Sequence, residues 1–518
     1  MSRLQANLCL LCVTLCWSTE VIIFACIPDD VTPFATSCIT SLIGAVLLFF
    51  LFFSRVRAAL REHAREIISR AVFLGVINCS YNILYQFGLK SFNVSSGAFT
   101  LALTVAILPF VLLAQRASVD RRTWISGILV LIGIIFGLSA TVRSDQLGGL
   151  VLIVIGCLLR VIYIIKISEY ARQYDPVSLS ALMSLAVGII TYIPWTITSP
   201  RTFAAITWSR TAIASLAIYA YFLVVFAQTL NFFAQKRTTA SNATIIYSTE
   251  IVFSIIWGAF LPSYMVDRVP ITPMILIGVL FVVAGNIVEI VELPFLRRLE
   301  KPDGEGSGLA SEAEGAAVTE PPPQTEMPAA AAHTYKTVGF GSGKFVSVLN
   351  LAVGYLLIAV PFKVLSVIPG FTDVRPVTLL GPAYAIFFGI PGCLVMAFGN
   401  LFMDIVSDSL RWSSIAGFAA NFLGPFVIYL YWTRISRSQF SLRTGKNLLK
   451  CVGIIILSAV VEAVLITPMV AAVYPDVDAW LFAVSVLLNT SAFPIFFGMP
   501  FMMILQDELG LKPRYALR

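Results

Sequence analysis

The sequence predicts an all-α polytopic membrane protein in which a ten-helix inverted-repeat bundle is followed by a six-helix membrane module. Three observations predict it. Of the 518 residues, 58% are hydrophobic and only 12% are charged, whereas a soluble domain carries about 25% charged residues. Nearly uncharged runs recur along the chain, and most are long enough to cross a bilayer as a helix. Two stretches within the first 300 residues also resemble each other.

Apolar windows define ten spans before residue 296. The first ends in ACIPDD without a small-residue cleavage site, so we interpret it as a span and not as a signal peptide. The ten spans are predicted at residues 5–27, 31–54, 68–89, 94–115, 123–141, 147–167, 178–198, 211–234, 241–262 and 271–295.

A polar stretch then interrupts the apolar pattern. Residues 299–344 are rich in Gly, Glu, Ala and Pro, a composition that cannot build a core and that predicts a disordered linker. The predicted units are therefore residues 1–298, this linker and residues 345–518. The six spans of the last unit are predicted at residues 346–366, 376–389, 391–407, 414–433, 447–473 and 479–505.

Basic residues indicate which side of the membrane each loop faces. Loops after the second, fourth, tenth and fourteenth spans carry most of the arginines and lysines. With sixteen spans these loops share one side with both termini and the linker, and basic-rich loops face the cytoplasm. We therefore expect a multi-pass protein of the cell (plasma) membrane with both termini cytoplasmic. The net charge of +7 is attributed to this asymmetry, and no nucleic acid partner is expected.

The first ten spans contain an internal repeat. The segment LKSFNVSSGAFTLALTVA (89–106) aligns with QKRTTASNATIIYSTEIV (235–252), which places Lys90 on Lys236 and Thr104 on Glu250. Five spans separate the two segments, so the halves must insert with opposite orientation. Inverted repeats at about residues 5–141 and 147–295 are typical of secondary transporters, whose binding site lies between the halves.

Three segments resemble a known family. RTTASNATIIYSTEIVFSIIWG (237–258) resembles the second-half signature of the drug/metabolite transporter superfamily, in its EamA-like ten-span branch. WISGILVLIGIIFG (124–137) and ILIGVLFVVAGNIV (275–288) are similar to the fifth and tenth helices of that family. The resemblance covers about residues 5–295 and implies transport of a small polar organic metabolite. Ile251 stands where the family usually has Pro, which predicts a straighter ninth helix.

Three ionisable residues stand out deep inside predicted spans of the first unit, where each costs roughly 3 kcal/mol on insertion scales. They are Glu20, Arg160 and Glu250. Two acids and one base predict a buried ion pair plus one titratable acid, as a substrate or proton site; an ion pair that only fixes helix packing is the alternative. Asn82 and Asn231 are expected to line the same cavity or, alternatively, to form helix–helix hydrogen bonds.

The second unit resembles a different family. FTDVRPVTLLGPAYAIFFGIPGCLVMAFGNLFMDIV (371–406) and GFAANFLGPFVIYLYW (417–432) are similar to the substrate-binding S component of energy-coupling-factor vitamin transporters. The resemblance implies that FTDVRP (371–376) closes over a ligand. The Ala-x-x-x-Ala face that docks the shared membrane subunit of that family is missing from VLNLAVGYLLIAV (348–360).

Residue depth predicts a pocket in the second unit. A rise of about 1.5 Å per residue places five polar side chains in one outer-half band beneath Asp373 and Arg375. This favours a ligand pocket, and a polar packing layer is the alternative. The five residues are Asn400, Asp404, Asn421, Glu462 and Asn489.

Enzymatic chemistry has little to use in this sequence. Its only histidines, His63 and His333, fall in polar loops, and its nine cysteines fall inside or beside apolar runs. No metal, cofactor or nucleotide-binding motif is predicted, so the chain is not expected to be an enzyme. The expected partners are a small-molecule substrate and the lipid bilayer. Open alternatives are a homodimer, separate energising ATPase subunits that would make the second unit a vitamin importer, and a membrane enzyme or scaffold.

Overall fold

A computed structural model gives the fold of the chain. The structure describes residues 1–28, 30–89, 103–116, 119, 121–139, 147–199, 202–260, 272–290, 344–364, 374–436 and 440–513. Every regular element in these ranges is helical, and they contain no strand. The predicted linker, apart from Lys344, lies outside the described residues. The all-α fold class is thus confirmed, whereas the domain boundaries stay a prediction.

Ten helices in the described ranges form the first bundle. Two of them are broken by a single residue, α1 at Thr19 and α9 at Thr249. Their bounds are α1 Arg3–Ser18 and Glu20–Ala25, α2 Pro33–Leu51, α3 Phe53–Leu89, α4 Leu103–Ala114, α5 Arg121–Ser139, α6 Leu147–Gln173, α7 Pro176–Thr198, α8 Arg210–Gln235, α9 Ala240–Ser248 and Glu250–Phe260, and α10 Pro273–Ile290.

Six helices follow in the described part of the second unit. Eight of the sixteen helices in the two units are long and apolar enough to cross a membrane by length and composition, and five of the others contain apolar segments of 10–17 residues. The bounds in the second unit are α11 Lys344–Val364, α12 Pro376–Leu379 and Leu380–Phe388, α13 Ile390–Val406, α14 Ser413–Ile435, α15 Gly445–Val473 and α16 Ala479–Asp507. The chain is therefore a polytopic helical membrane protein.

Helix starts follow from local sequence signals. Thr32 and Asp175 each accept a hydrogen bond from a main-chain N–H of the first turn, and Pro follows each of them. A side-chain oxygen at this position satisfies a donor that has no partner inside the helix, and Pro at the first helical position needs none. These caps explain why α2 and α7 begin where they do.

The basic segment after α2 is helical, and the sequence-based interpretation of it as a loop is wrong. Helix α3 begins at Phe53 and runs to Leu89, with one non-helical residue at His63 (φ −139°, ψ 41°). Its arginines alternate with good helix formers, and Val56 and Ile67 on the same segment are 1% exposed. The many arginines lower the mean hydropathy of this segment, because a hydropathy window averages the exposed, charged face of a helix with its buried, apolar face. The segment was therefore not recognised as a helix.

Helix contacts in the first bundle have a two-fold pattern. Helix α5 packs on α10, and α2 packs on α7. Each helix of one half corresponds to the helix five places away in the other half. The α3–α6 contact then corresponds to the α8–α1 contact, and α4–α5 corresponds to α9–α10. All four contacts are present. A pseudo-two-fold repeat requires this pattern.

Glycine permits the closest of these approaches. A Cβ on Gly133 of α5 would lie 2.6 Å from the Gly278 carbonyl oxygen of α10. Small residues allow helix backbones to pack this closely in membranes. Close packing at Gly133 is therefore made by the helix pair α5–α10.

The two bundles pack against each other. One hydrophobic core runs through both of them, and polar groups close one end of the contact. Gln5 donates to Asp507 (2.8 Å), Arg443 forms an ion pair with Asp507 (2.7 Å), and Arg237 lies 3.6 Å from Glu508. The hydrogen bond from Arg443 to Asp507 raises the pKa of Arg443. We call these five residues the polar clasp.

Candidate functional site

The breaks in α1 and α9 have the same sequence and the same hydrogen bonds. Residues 18–20 and residues 248–250 both read Ser-Thr-Glu. In each, both hydroxyls donate to the carbonyl oxygen three residues earlier, at 2.7 Å. Such back-bonding competes with the helical ladder and bends helices. The expectation of a straighter ninth helix, based on Ile251, is therefore wrong, because Ser and Thr interrupt the helix without Pro.

Each break presents a glutamate to the interior. Glu20 and Glu250 open the second segments of α1 and α9. The first turn of a helix favours a carboxylate because its N–H groups lack main-chain partners. Arg160, from the middle of α6, forms an ion pair with Glu250 (Nη2–Oε2 3.3 Å). Arg160 and Glu250 are 7% and 6% exposed, so the predicted buried pair is formed by these two residues.

Two aromatic rings flank the arginine of this pair. The Arg160 guanidinium lies 5.5 Å from the ring centroid of Trp17 and 5.9 Å from that of Tyr247, and the two rings are 5.1 Å apart. Cation–π contacts of this kind stabilise a desolvated cation. Trp17 and Tyr247 immediately precede the two Ser-Thr-Glu motifs, so both breaks contribute to holding Arg160.

Glu20 has a different environment. The hydroxyl of Tyr219, on α8, donates a 2.7 Å hydrogen bond to Glu20 Oε1. Glu20 forms no ion pair with any residue that the structure describes. The observed arrangement is one ion pair plus one acid whose oxygen is bound by a neutral donor.

These groups line one cavity of about 90 Å³. Its wall comes from α1, α2, α3, α6, α7, α8 and α9, which include helices of both halves. Ligand sites usually have volumes of about 300–1,000 Å³, so this cavity must widen before it can admit a metabolite. Polar and aromatic side chains in the wall are Trp17, Glu20, Ser37, Thr40, Ser41, Asn78, Tyr81, Asn82, Tyr85, Arg160, Ser184, Tyr219, Gln228 and Glu250.

The two asparagines predicted for this cavity lie in different places. Asn82 lines it and donates to Asn78 at 3.2 Å. Asn231 is fully buried and lies outside the lining. Its Oδ1 accepts hydrogen bonds from the Tyr247 hydroxyl and from Gln235 Nε2 (2.8 Å). Asn231 thus fixes Tyr247, one of the rings that flanks the arginine.

Sequence reasoning missed four aromatic and amide groups of the wall. Trp17, Tyr81, Tyr219 and Gln228 are uncharged and are common in helix interfaces, so nothing in their residue type singled them out. The repeated tetrapeptides WSTE and YSTE, at 17–20 and 247–250, were the signal that could have identified Trp17.

The second bundle contains a larger cavity of about 320 Å³. Among its predicted residues, Asp373 lies outside the described residues. All the others are in the cavity wall: Arg375, Asn400, Asp404, Asn421, Glu462 and Asn489. The membrane depth predicted from the position of each residue in its span thus grouped these side chains correctly. Their role in binding stays a prediction.

Asparagines hold Arg375 in position at the cavity. Its main-chain N–H donates to Asn489 Oδ1 (2.9 Å), and its Nη2 donates to Asn400 Oδ1 (2.9 Å). Thr378 Oγ1 donates to the carbonyls of both Arg375 and Asn489. Arg375 forms no ion pair with a described residue, so its charge is available to an anionic group in the cavity.

Glu462 reaches the same cavity through space left by a glycine. A Cβ on Gly424 would lie 1.9 Å from Glu462 Oε1. Asn421, one turn earlier on α14, donates its Nδ2 to the Gly417 carbonyl (2.8 Å). The cavity therefore presents a positive group at Arg375 and an acidic group at Glu462.

No metal site is found in the described part of the chain, where no group of three or more His, Cys, Asp or Glu residues could hold an ion. The fold and the first cavity define a helical membrane protein with a charged interior site between two repeats. The chain belongs to the EamA-like transporter family, whose model matches residues 4–139 and 147–289, more than half of the chain. It is therefore a membrane transporter of the drug/metabolite type.

Two further comparisons add no functional detail. A search of curated proteins finds no match to the sequence. One similar solved structure, described only as a protein crystal structure, has a TM-score of 0.46 and 16% sequence identity, over 58% of this chain and 100% of that chain.

Proposed function

We propose that the ten-helix bundle carries a small polar organic metabolite across the cell (plasma) membrane by alternating access, driven by a gradient. The substrate class is vitamin-like, nucleobase-precursor-like or amino-acid-like. The observation that carries the proposal is the Arg160–Glu250 pair beside Glu20 in one cavity lined by both halves. Ionisable groups are retained inside membrane helices mainly where they serve transport or relay protons.

The geometry supports a specific division of roles. An anionic group of the substrate would compete with Glu250 for the Arg160 guanidinium, whose fork matches a carboxylate. Glu20 would accept a proton or a cationic group of the substrate, since its present partner, Tyr219, is neutral. Release of the Arg160–Glu250 contact would then accompany opening of the cavity.

Transport by proteoliposomes tests the proposal. The purified full chain would be reconstituted and screened for uptake of labelled amino acids, nucleobase precursors and vitamins under a pH or sodium gradient. Arg160→Ala should reduce uptake to the level of empty liposomes. Lys166→Ala is the matched control, because Lys166 lies on the same helix but pairs with Glu169 outside the cavity (2.6 Å). Wild-type uptake by Arg160→Ala would refute the assignment.

We further propose that the second bundle is a substrate-binding module like the S component that it resembles; the segment FTDVRP (371–376), expected to close over the ligand, lies outside the described residues as far as Asp373. Its 320 Å³ cavity and the positioned Arg375 favour this role. With both termini cytoplasmic, the cavity would accept compounds from outside the cell. Arg375 suits a carboxylate or phosphate group.

An ATPase-coupled vitamin importer is the second candidate. It requires a docking face for energising subunits on the first helix of the module, where Leu356 stands four residues after Ala352. That helix, α11, packs against the Arg210–Ile218 segment of α8 in the first bundle, which favours the gradient-driven reading. Co-purification of ATPase subunits with the tagged full chain would reverse the preference. A membrane enzyme or scaffold would be favoured by a variant that loses transport but retains a processing activity.

A further inference from the structure

An aromatic contact joins the two bundles between their two cavities. Phe222 and Phe226, on α8, meet Phe362, Phe497 and Phe501 of the second bundle. The ring centroids are 5.3 Å apart for Phe222–Phe362 and 6.0–6.5 Å apart for the other pairs, within the range of favourable aromatic pairs. We call these five residues the aromatic seam.

On one side, the seam is built on a helix that also lines the first cavity. Tyr219 binds Glu20, and Leu223 lies in the cavity wall. The side chains of Phe222 and Phe226, on the same stretch of α8, contact the second bundle. A displacement of this stretch therefore changes the wall of the first cavity and the seam together.

On the other side, the seam continues the helix that lines the second cavity. Asn489, which holds the main chain of Arg375, and Thr490 are in the wall of that cavity. One turn later Phe493 stacks on Phe497 at 5.6 Å. Helix α16 then runs on to Asp507 of the polar clasp, so it joins the second cavity, the seam and the clasp.

Both helices have wide turns at the seam. Residues Tyr219–Ala227 of α8 and Pro494–Gly498 of α16 are π-helical. A π-helical turn accommodates one residue more than an α-helical turn and is often found at functional sites. Conversion of such a turn to the α-helical form would rotate the residues beyond it relative to the rest of the helix.

We propose that the second bundle regulates the first: the state of the Arg375 cavity is transmitted through the aromatic seam to the Glu20–Tyr219 side of the transport cavity. The proposal extends the proposed function by making the second bundle a sensor of transport. Occupancy around Arg375 shifts Asn489 and α16, Phe497 moves against Phe222 and Phe226, and the wide turn of α8 changes the position of Tyr219. Linkage requires the effect to be reciprocal, with coupled affinities changing by about 5- to 150-fold in typical cases.

Cys79 reports on the first cavity without any transported substrate. It lies in the cavity wall and is 6% exposed. The full chain in detergent would be labelled with a small uncharged methanethiosulfonate, and mass spectrometry of peptides would give the rate at Cys79 separately from the other cysteines. The variants are Arg375→Ala in the second cavity and Phe497→Ala in the seam. Trp480→Ala, on the same helix but 77% exposed, is the control.

We expect Arg375→Ala to change the Cys79 labelling rate several-fold relative to the wild type. In the Phe497→Ala background, adding Arg375→Ala should leave the rate of the Phe497→Ala variant unchanged. Trp480→Ala should leave the rate at the wild-type value. Phe497→Leu replaces Phe497→Ala if the latter fails to elute as a single species.

An unchanged rate in Arg375→Ala, or an Arg375→Ala effect that persists in full without Phe497, would overturn the proposal. These outcomes are distinct from failure of the proposed function, which would show as absence of uptake in proteoliposomes whatever the Cys79 rate.

Discussion

Tyr219 donates a 2.7 Å hydrogen bond to Glu20 and thereby joins the two halves of the transporter across its central cavity. Glu20 belongs to the first helix of one half, and Tyr219 to the third helix of the other. Any motion that separates the halves at this point must break or exchange this bond. The Arg160–Glu250 pair lies in the wall of the same cavity, which therefore holds two polar contacts between buried helices.

Glu20→Gln should uncouple transport from its driving gradient. The amide oxygen of Gln can still accept the Tyr219 hydrogen bond, so we expect the melting temperature to stay near that of the wild type. The side chain can no longer gain or lose a proton, so accumulation against a pH gradient should fall to background while exchange of internal for external substrate continues. Uptake and exchange measured in the same proteoliposomes check this. Gradient-driven uptake by Glu20→Gln would remove Glu20 from the coupling step.

Glu250→Ala should destabilise the first bundle. Removing one partner of a buried ion pair leaves the other charge uncompensated and typically costs about 3–5 kcal/mol. The double variant Arg160→Met with Glu250→Leu should regain most of this stability, since neither charge of the pair remains without its partner, but it should not regain transport. Thermal unfolding in detergent gives the stabilities. A double variant no more stable than Glu250→Ala would show that the pair is not the source of the loss.

Arg375→Lys should weaken binding in the second cavity although the charge is kept. Lys lacks the planar fork that holds Asn400 and can bind a carboxylate through two bonds. Loss of one charge-assisted hydrogen bond, worth about 1.5–3 kcal/mol, lowers affinity by about 10- to 100-fold. Thermal stabilisation of the full chain by a vitamin and nucleobase-precursor library measures this, because bound ligand raises the melting temperature. Arg411→Ala is the control, since Arg411 donates to the neighbouring Leu410 carbonyl; equal loss in both would argue against a specific site.

Gly424→Ala should damage the second cavity and spare the first. The new Cβ would overlap the Glu462 carboxylate, with a separation of 1.9 Å, and overpacking of this kind costs about 1–3 kcal/mol. Ligand-dependent stabilisation should disappear, and Glu462 must leave its place. Gly453→Ala is the matched control, because nothing lies within 4 Å of its added Cβ. Unaltered ligand stabilisation in Gly424→Ala would exclude Glu462 from the site.

The sequence identified candidate site residues only where their side chains are of a type that is rare inside membrane helices. Arg160 and Glu250 stood out because charges are rare in apolar helices. Asn231 could not be assigned in the same way, because an amide inside a span fits a cavity and a helix contact equally well. Trp17 and Tyr219 carried no such signal, and their importance comes only from the groups that surround them.

Hydropathy and internal similarity were sufficient to predict the class of protein, the approximate place of the membrane helices and the repeat, because helix formation in a bilayer depends on local hydrophobicity and length. The folded chain alone shows that Glu250, and not Glu20, pairs with Arg160, and that a Ser-Thr-Glu motif interrupts each of α1 and α9. It also shows that the two bundles share a core and an aromatic seam. These features depend on contacts between residues far apart in the chain, whose strength is fixed by geometry and burial rather than by residue type.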